Sequence, residues 1–348
     1  MPQEPISTDA LTLEDGELFH DRKGRVKEWP RPLAPLADSH GHLTSFRKHD
    51  PSVAICRAAL AGVRLLVVPV DPVGEIPRKF PTADAFLLWL DEQVERATER
   101  IRECAEHGLV PPTFAGYDAP DLVDNVRIVA GAHPYGADRL TDEALAQMDV
   151  LLQSPRCVGV GEIGLDFGPY NELPAEVQEE AFRRQLRIAH ERNLPVELHI
   201  RDNPQDDACA AHALAERVLA EEGVPERGCD LHCFTQGPEV MRPFVDLGCH
   251  VAFGGAATFN KSDDVRAAAA ICPAGQILSE TDSPYMAPVP LRGEECEPAM
   301  IAFTAALLAD VRAAEAPAAE TTTPDGGNLS RQATYDALWS NALGLFSL

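Results

Sequence analysis

Basic side chains are scarce in this 348-residue chain: 30 Lys and Arg stand against 55 Asp and Glu, a formal net charge of −25. That deficit argues against a protein that grips a polyanion through a broad basic face. The imbalance is uneven. Residues 71–125 hold five basic and twelve acidic side chains, whereas residues 38–70 hold four and two. No stretch approaches the roughly 18 apolar residues that a membrane helix needs. Residues 1–30 carry Glu4, Asp9, Glu14, Asp15 and Glu17 and no apolar core, so no secretory signal is expected. The nine cysteines are odd in number and form no Cys-x-x-Cys pair. This excludes a disulfide framework and a thiolate zinc site. Free, reduced, buried thiols in a cytoplasmic protein are the expectation, with Cys157, Cys229, Cys249 and Cys272 in or beside apolar runs. There is no internal repeat. No Gly-x-Gly-x-x-Gly follows the first candidate strand, which speaks against a doubly wound dinucleotide fold.

What is present is a core-forming composition, 45% hydrophobic, arranged as alternating short and long patterns. Short apolar runs fall at 63–70, 126–131, 157–161, 196–200, 229–232, 250–253 and 276–278, with a weaker one at 33–37. Helical patterns lie between them near 51–61, 84–107, 141–153, 174–192, 206–222, 238–247, 262–271 and 297–314, and a last one near 331–345. Eight strand–helix units predict an α/β fold, a (β/α)8 TIM barrel closed by a C-terminal helix. Residues 1–32 are expected to be an irregular extension strapped across a barrel of 33–348. Residues 71–125 form a long second βα connection, and 315–330 read as a surface loop.

Histidines and carboxylates cluster where these strands end. His40 and His42 follow strand 1 and His133 follows strand 3. Glu162 ends strand 4, His199 strand 5 and His232 strand 6, and Asp282 follows strand 8. Barrel enzymes carry their chemistry on that rim. Residues i and i+2 of an extended segment face the same side, so His40 and His42 can grip one cation. Four histidines and two carboxylates exceed the needs of one tetrahedral ion. They suit two ions about 3.5–4 Å apart. Nitrogen and oxygen donors favour Zn, Mn, Fe, Ni or Mg.

From about residue 36 to 348 the chain resembles the TatD family of metal-dependent deoxyribonucleases, within the amidohydrolase superfamily. The motifs are Asp38-Ser39-His40-Gly41-His42-Leu43, Gly131-Ala132-His133-Pro134, Val160-Gly161-Glu162-Ile163-Gly164-Leu165-Asp166 and His199-Ile200-Arg201-Asp202. They continue with His232-Cys233-Phe234, Phe253-Gly254-Gly255, Glu280-Thr281-Asp282-Ser283-Pro284-Tyr285 and the closing Asn341-Ala342-Leu343-Gly344-Leu345-Phe346. The resemblance implies a binuclear site of two divalent ions (Zn, Mg, Mn or Ni). His40, His42 and Asp282 would hold one, His199 and His232 the other, and Glu162 would bridge them. It further implies hydrolysis of DNA phosphodiesters, single-stranded and 3′ to 5′, by a metal-activated hydroxide, with Asp282 accepting the water's proton.

His133 is read either as a contact to the phosphate or leaving oxygen, or as a structural residue before Pro134. Arg201 binds phosphate or pairs with Asp202 or Glu162. Lys261 meets a phosphate or is an exposed helix-start residue. Glu280 and Asp166 orient ligand imidazoles or hydrogen-bond loops. Three features depart from the family pattern: Thr44 where Asp is frequent, Cys296-Glu297-Pro298 where Asn-Glu-Pro is usual, and the long second connection with the extra N-terminus. All are placed where substrate contacts are expected.

Aromatic residues are only 6% of the chain. Those available for base stacking near the rim are Phe46, Phe167, Tyr135, Phe234 and Tyr285. Two further functions are weighed: a metallohydrolase of small esters, lactones, amides or phosphoesters, and a metal-stapled interaction module without catalysis. A positive groove leading to the metals favours nucleic acid, and a closed apolar pocket favours a small molecule. A monomer is the expected state.

Overall fold

The computed structural model describes residues 17–205, 208–315 and 329–348. Eight strands form one parallel sheet in sequential order: β1 (Leu36–Asp38), β2 (Val63–Val70), β3 (Val126–Ala130), β4 (Cys157–Asp166), β5 (Val196–Arg201), β6 (Cys229–His232), β7 (His250–Phe253) and β8 (Ile277–Ser279). Helices alternate with them: α1 (Pro51–Ala61), α2 (Ala83–Glu106), α3 (Asp142–Leu152), α4 (Ala175–Arg192), α5 (Ala210–Glu222), α6 (Pro238–Asp246), α7 (Asp263–Ile271), α8 (Ile301–Glu315) and α9 (Leu329–Phe346). This is the expected TIM barrel with a C-terminal helix. β2 is buried at all eight positions, as a strand covered on both faces must be.

The barrel is stitched where its ends meet. The Ser39 amide donates to Ser279 O at 3.1 Å, and the His42 amide to Ser283 O at 2.8 Å. The Asp282 amide returns a bond to His40 O at 2.9 Å. Buried Asp38 accepts from the Thr281 amide at 2.8 Å and from its hydroxyl at 2.7 Å.

Several expectations shift. β4 runs on to Asp166, so Glu162 sits inside the strand rather than at its end. Gly159, Gly161 and Gly164 interrupt the apolar run that marks a strand in sequence. A Cβ at Gly161 would meet Glu197 Cβ at 2.6 Å, so glycine lets β4 and β5 approach. Helix α5 begins at Ala210, and residues 206–207 of the expected helix lie outside the described residues. The eighth helix is preceded by a 3-10 turn, Pro298–Met300.

Where it is described, the extension packs Leu18 and Phe19 into a cluster with Cys56 and Leu60 of α1, Phe303 of α8 and Leu291 of the loop after β8, where Arg22 also pairs with Glu294. Residues 1–16 and most of the 315–330 loop lie outside the described residues. Of the nine cysteines, Cys157, Cys209 and Cys233 are half-buried and the rest buried. No helix among the described residues is long and apolar enough to cross a membrane.

Candidate metal centre

Glu162 is the hub of the rim. One carboxylate oxygen, Oε2, lies 3.8 Å from His40 Nε2 and 3.9 Å from His42 Nε2. The other, Oε1, lies 2.6 Å from His199 Nδ1, 3.4 Å from His232 Nε2 and 3.5 Å from His133 Nε2. Asp282 Oδ1 completes the first group, 3.9 Å from His40 Nε2 and 3.8 Å from His42 Nε2. The two imidazole nitrogens are 3.1 Å apart.

These separations fit donors around a cation. Bonds of about 2.0–2.2 Å put neighbouring tetrahedral donors roughly 3.4 Å apart. The His40, His42, Asp282 and Glu162 Oε2 group has that spacing. In the second group the short His199–Glu162 contact is a direct hydrogen bond, and an ion there would replace it.

Three of the imidazoles are held from behind. His40 Nδ1 is 2.8 Å from Glu197 Oε1, which leaves Nε2 facing the cage. His232 Nδ1 is 3.2 Å from Glu280 Oε2, and Glu280 Oε1 accepts from the Cys233 amide at 2.7 Å. His199 Nε2 meets Asp166 Oδ2 at 3.0 Å, while Asp166 Oδ1 accepts from the Gly168 amide at 2.7 Å. Such partners fix ring orientation and tautomer.

His133 Nδ1 accepts from the Tyr135 amide at 3.1 Å and so caps the turn Pro134–Arg139. Its Nε2 is left toward Glu162. Burial and neighbouring His199 pull its pKa down to about 3, so the ring is neutral at ordinary pH. Burial pushes Asp282 up to about 7, with Glu280 and Glu162 adding to the effect. Asp282 and Cys233 both adopt left-handed backbone, φ 52° and 49°. For non-glycine residues at a functional rim this is a constrained conformation, held here by the Asp282–His40 backbone bond.

Glu197 was not singled out from the sequence. The signal was available, because it lies two positions before His199 and therefore on the same face of β5. Asp230, its register partner on β6, stands in the same relation to His232. Neither Asp230 oxygen has a hydrogen-bond partner, nor does Glu197 Oε2.

The expected phosphate contacts take different places. Arg201 lies 5.4 Å over the Tyr170 ring and forms no ion pair with Asp202 or Glu162, while its side chain reaches Tyr135 at the cleft and its charge acts on Asp166 beside His199. Asp202 instead meets His212 Nδ1 at 2.5 Å and caps α5 through the Ala211 amide. Lys261 is exposed beyond the turn Gly255–Thr258, outside the cleft beside Glu162. Cys296 is fully buried, with Sγ 3.9 Å from Thr281 O, so that departure from the family pattern touches core and not substrate.

The cage opens into a cleft of about 410 Å³ lined by His42, His133 and Glu162 on one side and by Asp71, Glu75, Arg78 and Lys79 on the other. Tyr135 and Tyr285 line its rim, 41% and 55% exposed. Of the other candidate stacking residues, Phe234 is buried, and Phe46 and Phe167 pack against the core. The cleft carries both signs, Asp71, Glu75 and Glu162 against Arg78 and Lys79, so it is neither a closed apolar pocket nor a wholly positive groove.

Comparison with known proteins agrees with this geometry. The chain is 32% identical over 225 residues to the uncharacterized metal-dependent hydrolase YabD of Bacillus subtilis, covering 64% of this chain and 85% of that protein. It is 38% identical over 160 residues to the 3′-5′ ssDNA/RNA exonuclease TatD of Cronobacter turicensis, covering 46% of this chain and 57% of that one. The solved structure of the TatD homolog YJJV from Escherichia coli K12 superposes with a TM-score of 0.63 at 23% identity, covering 91% of this chain and 99% of that one, which shows the shared fold. The TatD related DNase family matches residues 37–347. The chain belongs to that family of metal-dependent hydrolases.

Proposed function

We propose that the protein is a phosphodiesterase acting on DNA, cutting single-stranded ends in the 3′ to 5′ direction with two divalent ions. The observation that carries this is the division of Glu162, whose two oxygens each face a separate set of imidazoles. His40, His42 and Asp282 would hold one ion, His199 and His232 the other, with Glu162 shared. When bound, such a pair supplies Lewis-acid polarisation of phosphate oxygens and a nucleophilic water at neutral pH. The exonuclease relative in Cronobacter turicensis supports the choice of substrate, as do the two exposed tyrosines at the rim of the cleft.

The chain's own residues divide the remaining work. Asp282, pushed toward neutrality by burial, accepts a proton at its carboxylate. Neutral His133 directs Nε2 into the site and donates to a phosphate or leaving oxygen. Glu197, Glu280 and Asp166 hold the ring planes still. Tyr135 and Tyr285 offer faces to an unpaired base. The scarcity of cysteine pairs in the sequence supports a reducing compartment, the cytoplasm, and a monomer is the working state of this reading.

The test is an assay of the metal-reconstituted protein on end-labelled single-stranded DNA beside duplex DNA, RNA and small esters. Stepwise shortening of single-stranded DNA from its 3′ end is expected, and hydrolysis of small esters alone would overturn the reading. Elemental analysis should give two divalent ions per chain.

A further inference from the structure

The wall of the cleft opposite the histidines is built by the start of the connection between β2 and α2. It is an anchored turn. The Val73 amide donates to Asp71 Oδ1 at 2.7 Å, and the Glu75 and Lys79 amides donate to Asp71 O and Glu75 O at 2.9 and 2.7 Å. Val73 and Ile76 are buried beneath it. The turn therefore presents its side chains from a fixed base.

Two consecutive cations, Arg78 and Lys79, line the same cleft as Glu162. Lys79 is tied to the loop after the His-x-His pair, since its Nζ donates to Thr44 O at 3.2 Å, Thr44 Oγ1 at 3.1 Å and Glu75 Oε1 at 3.0 Å. The Thr44 hydroxyl in turn bonds Glu75. Arg78 differs. It is exposed, and its guanidinium forms no ion pair among the described residues. In a chain of net charge −25, an arginine left without a carboxylate beside the cage has no packing role to explain it.

We infer that Arg78, seconded by Lys79, is an anion subsite that holds the phosphate next to the one being cut. The protein thereby selects substrates carrying a second phosphate, such as an oligonucleotide end, over simple monoesters. A guanidinium fork matches two phosphate oxygens at once, whereas the Lys79 charge is already shared with Glu75. The inference rests on the phosphodiesterase reading and gives it a source of specificity outside the metal cage. It also accounts for how so acidic a chain takes a polyanion: two fixed cations at the mouth replace a broad basic surface.

The test compares binding of thymidine 5′-monophosphate and thymidine 3′,5′-bisphosphate to the metal-loaded protein by calorimetry, together with steady-state cleavage of a short single-stranded oligonucleotide. The wild type should prefer the bisphosphate, by about fivefold or more for one fork contact. Arg78→Ala should erase that preference and raise KM for the oligonucleotide by a similar factor, with kcat within about twofold, and Arg78→Lys should restore part of it. Lys79→Ala should have a smaller effect, and Arg242→Ala, a surface arginine paired with Glu239, none. No preference in the wild type, or a preference that survives Arg78→Ala, overturns the subsite. If the wild type cuts no oligonucleotide while Arg78 still governs the preference, the nuclease reading falls and the subsite stands. Cleavage with an unchanged KM in Arg78→Ala sinks the subsite and leaves the nuclease reading intact.

Discussion

Two buried carboxylates in this molecule meet opposite fates. Glu297, at the start of the eighth helical segment, is 1% exposed and fully matched. Arg57 Nε donates to its two oxygens at 2.9 and 2.8 Å, and Arg57 Nη2 adds a third bond at 2.7 Å. Burial alone would push this carboxyl up, but Arg57 beside it holds it below its usual range. The same guanidinium bonds Leu18 O and pins the N-terminal segment to the barrel. Glu162, 6% exposed, has no arginine or lysine partner among the described residues. It is ringed by five imidazoles, four of them 3.4 Å or more away. A buried charge is tolerated when it is paired. Glu297 is paired by an arginine that nothing replaces, while Glu162 is paired only by imidazoles, His199 nearest at 2.6 Å, whose place a bound cation would take. The first arrangement holds structure and the second holds chemistry.

The sharpest way to break this contrast is to exchange the carboxylates for amides. Glu162→Gln should lower hydrolysis about a thousandfold or more while circular dichroism and melting stay near wild type; appreciable residual turnover would show that Glu162 is not the hub. Arg57→Ala should instead destabilise the fold by about 3–5 kcal/mol in urea titrations, because Glu297 is left buried and alone. Its metal stoichiometry should not change.

Glu197 lies between the two cases, with one oxygen on His40 and one unpartnered. Glu197→Leu should weaken metal affinity by about 10–100-fold in competition with a chelating dye, with the chain still folded. The smallest effect concerns protons. Burial draws His199 down, yet Glu162 and Asp166 on either side hold it up at about 9. The ring is thus protonated at pH 7 in the metal-free protein, and ligation requires it neutral. Loading should therefore release about one proton from this residue, and affinity should rise with pH. Calorimetry in buffers of different ionisation enthalpy measures the release, and no buffer dependence would contradict it.

Much of this was readable in the chain, for reasons that differ by element. β2 and β3 announce themselves because strands buried on both faces are apolar runs, each here interrupted by a single arginine, Arg64 or Arg127. β4 is cut short in such a reading, since Gly161, Glu162 and Gly164 interrupt it. His40 and His42 declare themselves by spacing alone. Glu197 obeys the same i, i+2 rule but is a lone acid in an apolar strand, and only the placement of β5 beside the first strand's histidines gives it a partner. The tie from Lys79 to Thr44 spans 35 positions between two loops. No local pattern encodes it. Arg201 and Lys261 part for a related reason: sequence proximity to a motif places both near the rim, yet Arg201 reaches the cleft residue Tyr135 while Lys261 is exposed outside the cleft.

The seam of the barrel has a consequence for the order of events in synthesis. His40 and His42 leave the ribosome early, but Asp282 joins them only across the last stitch, where the Ser39 hydroxyl bonds Ser279 O, 240 positions later. A growing chain therefore carries two imidazoles of the first cage with nothing to complete it until nearly the whole sheet has been made. The finished cage and the finished barrel arrive together, so a truncated product that ends before β8 lacks both the seam and Asp282.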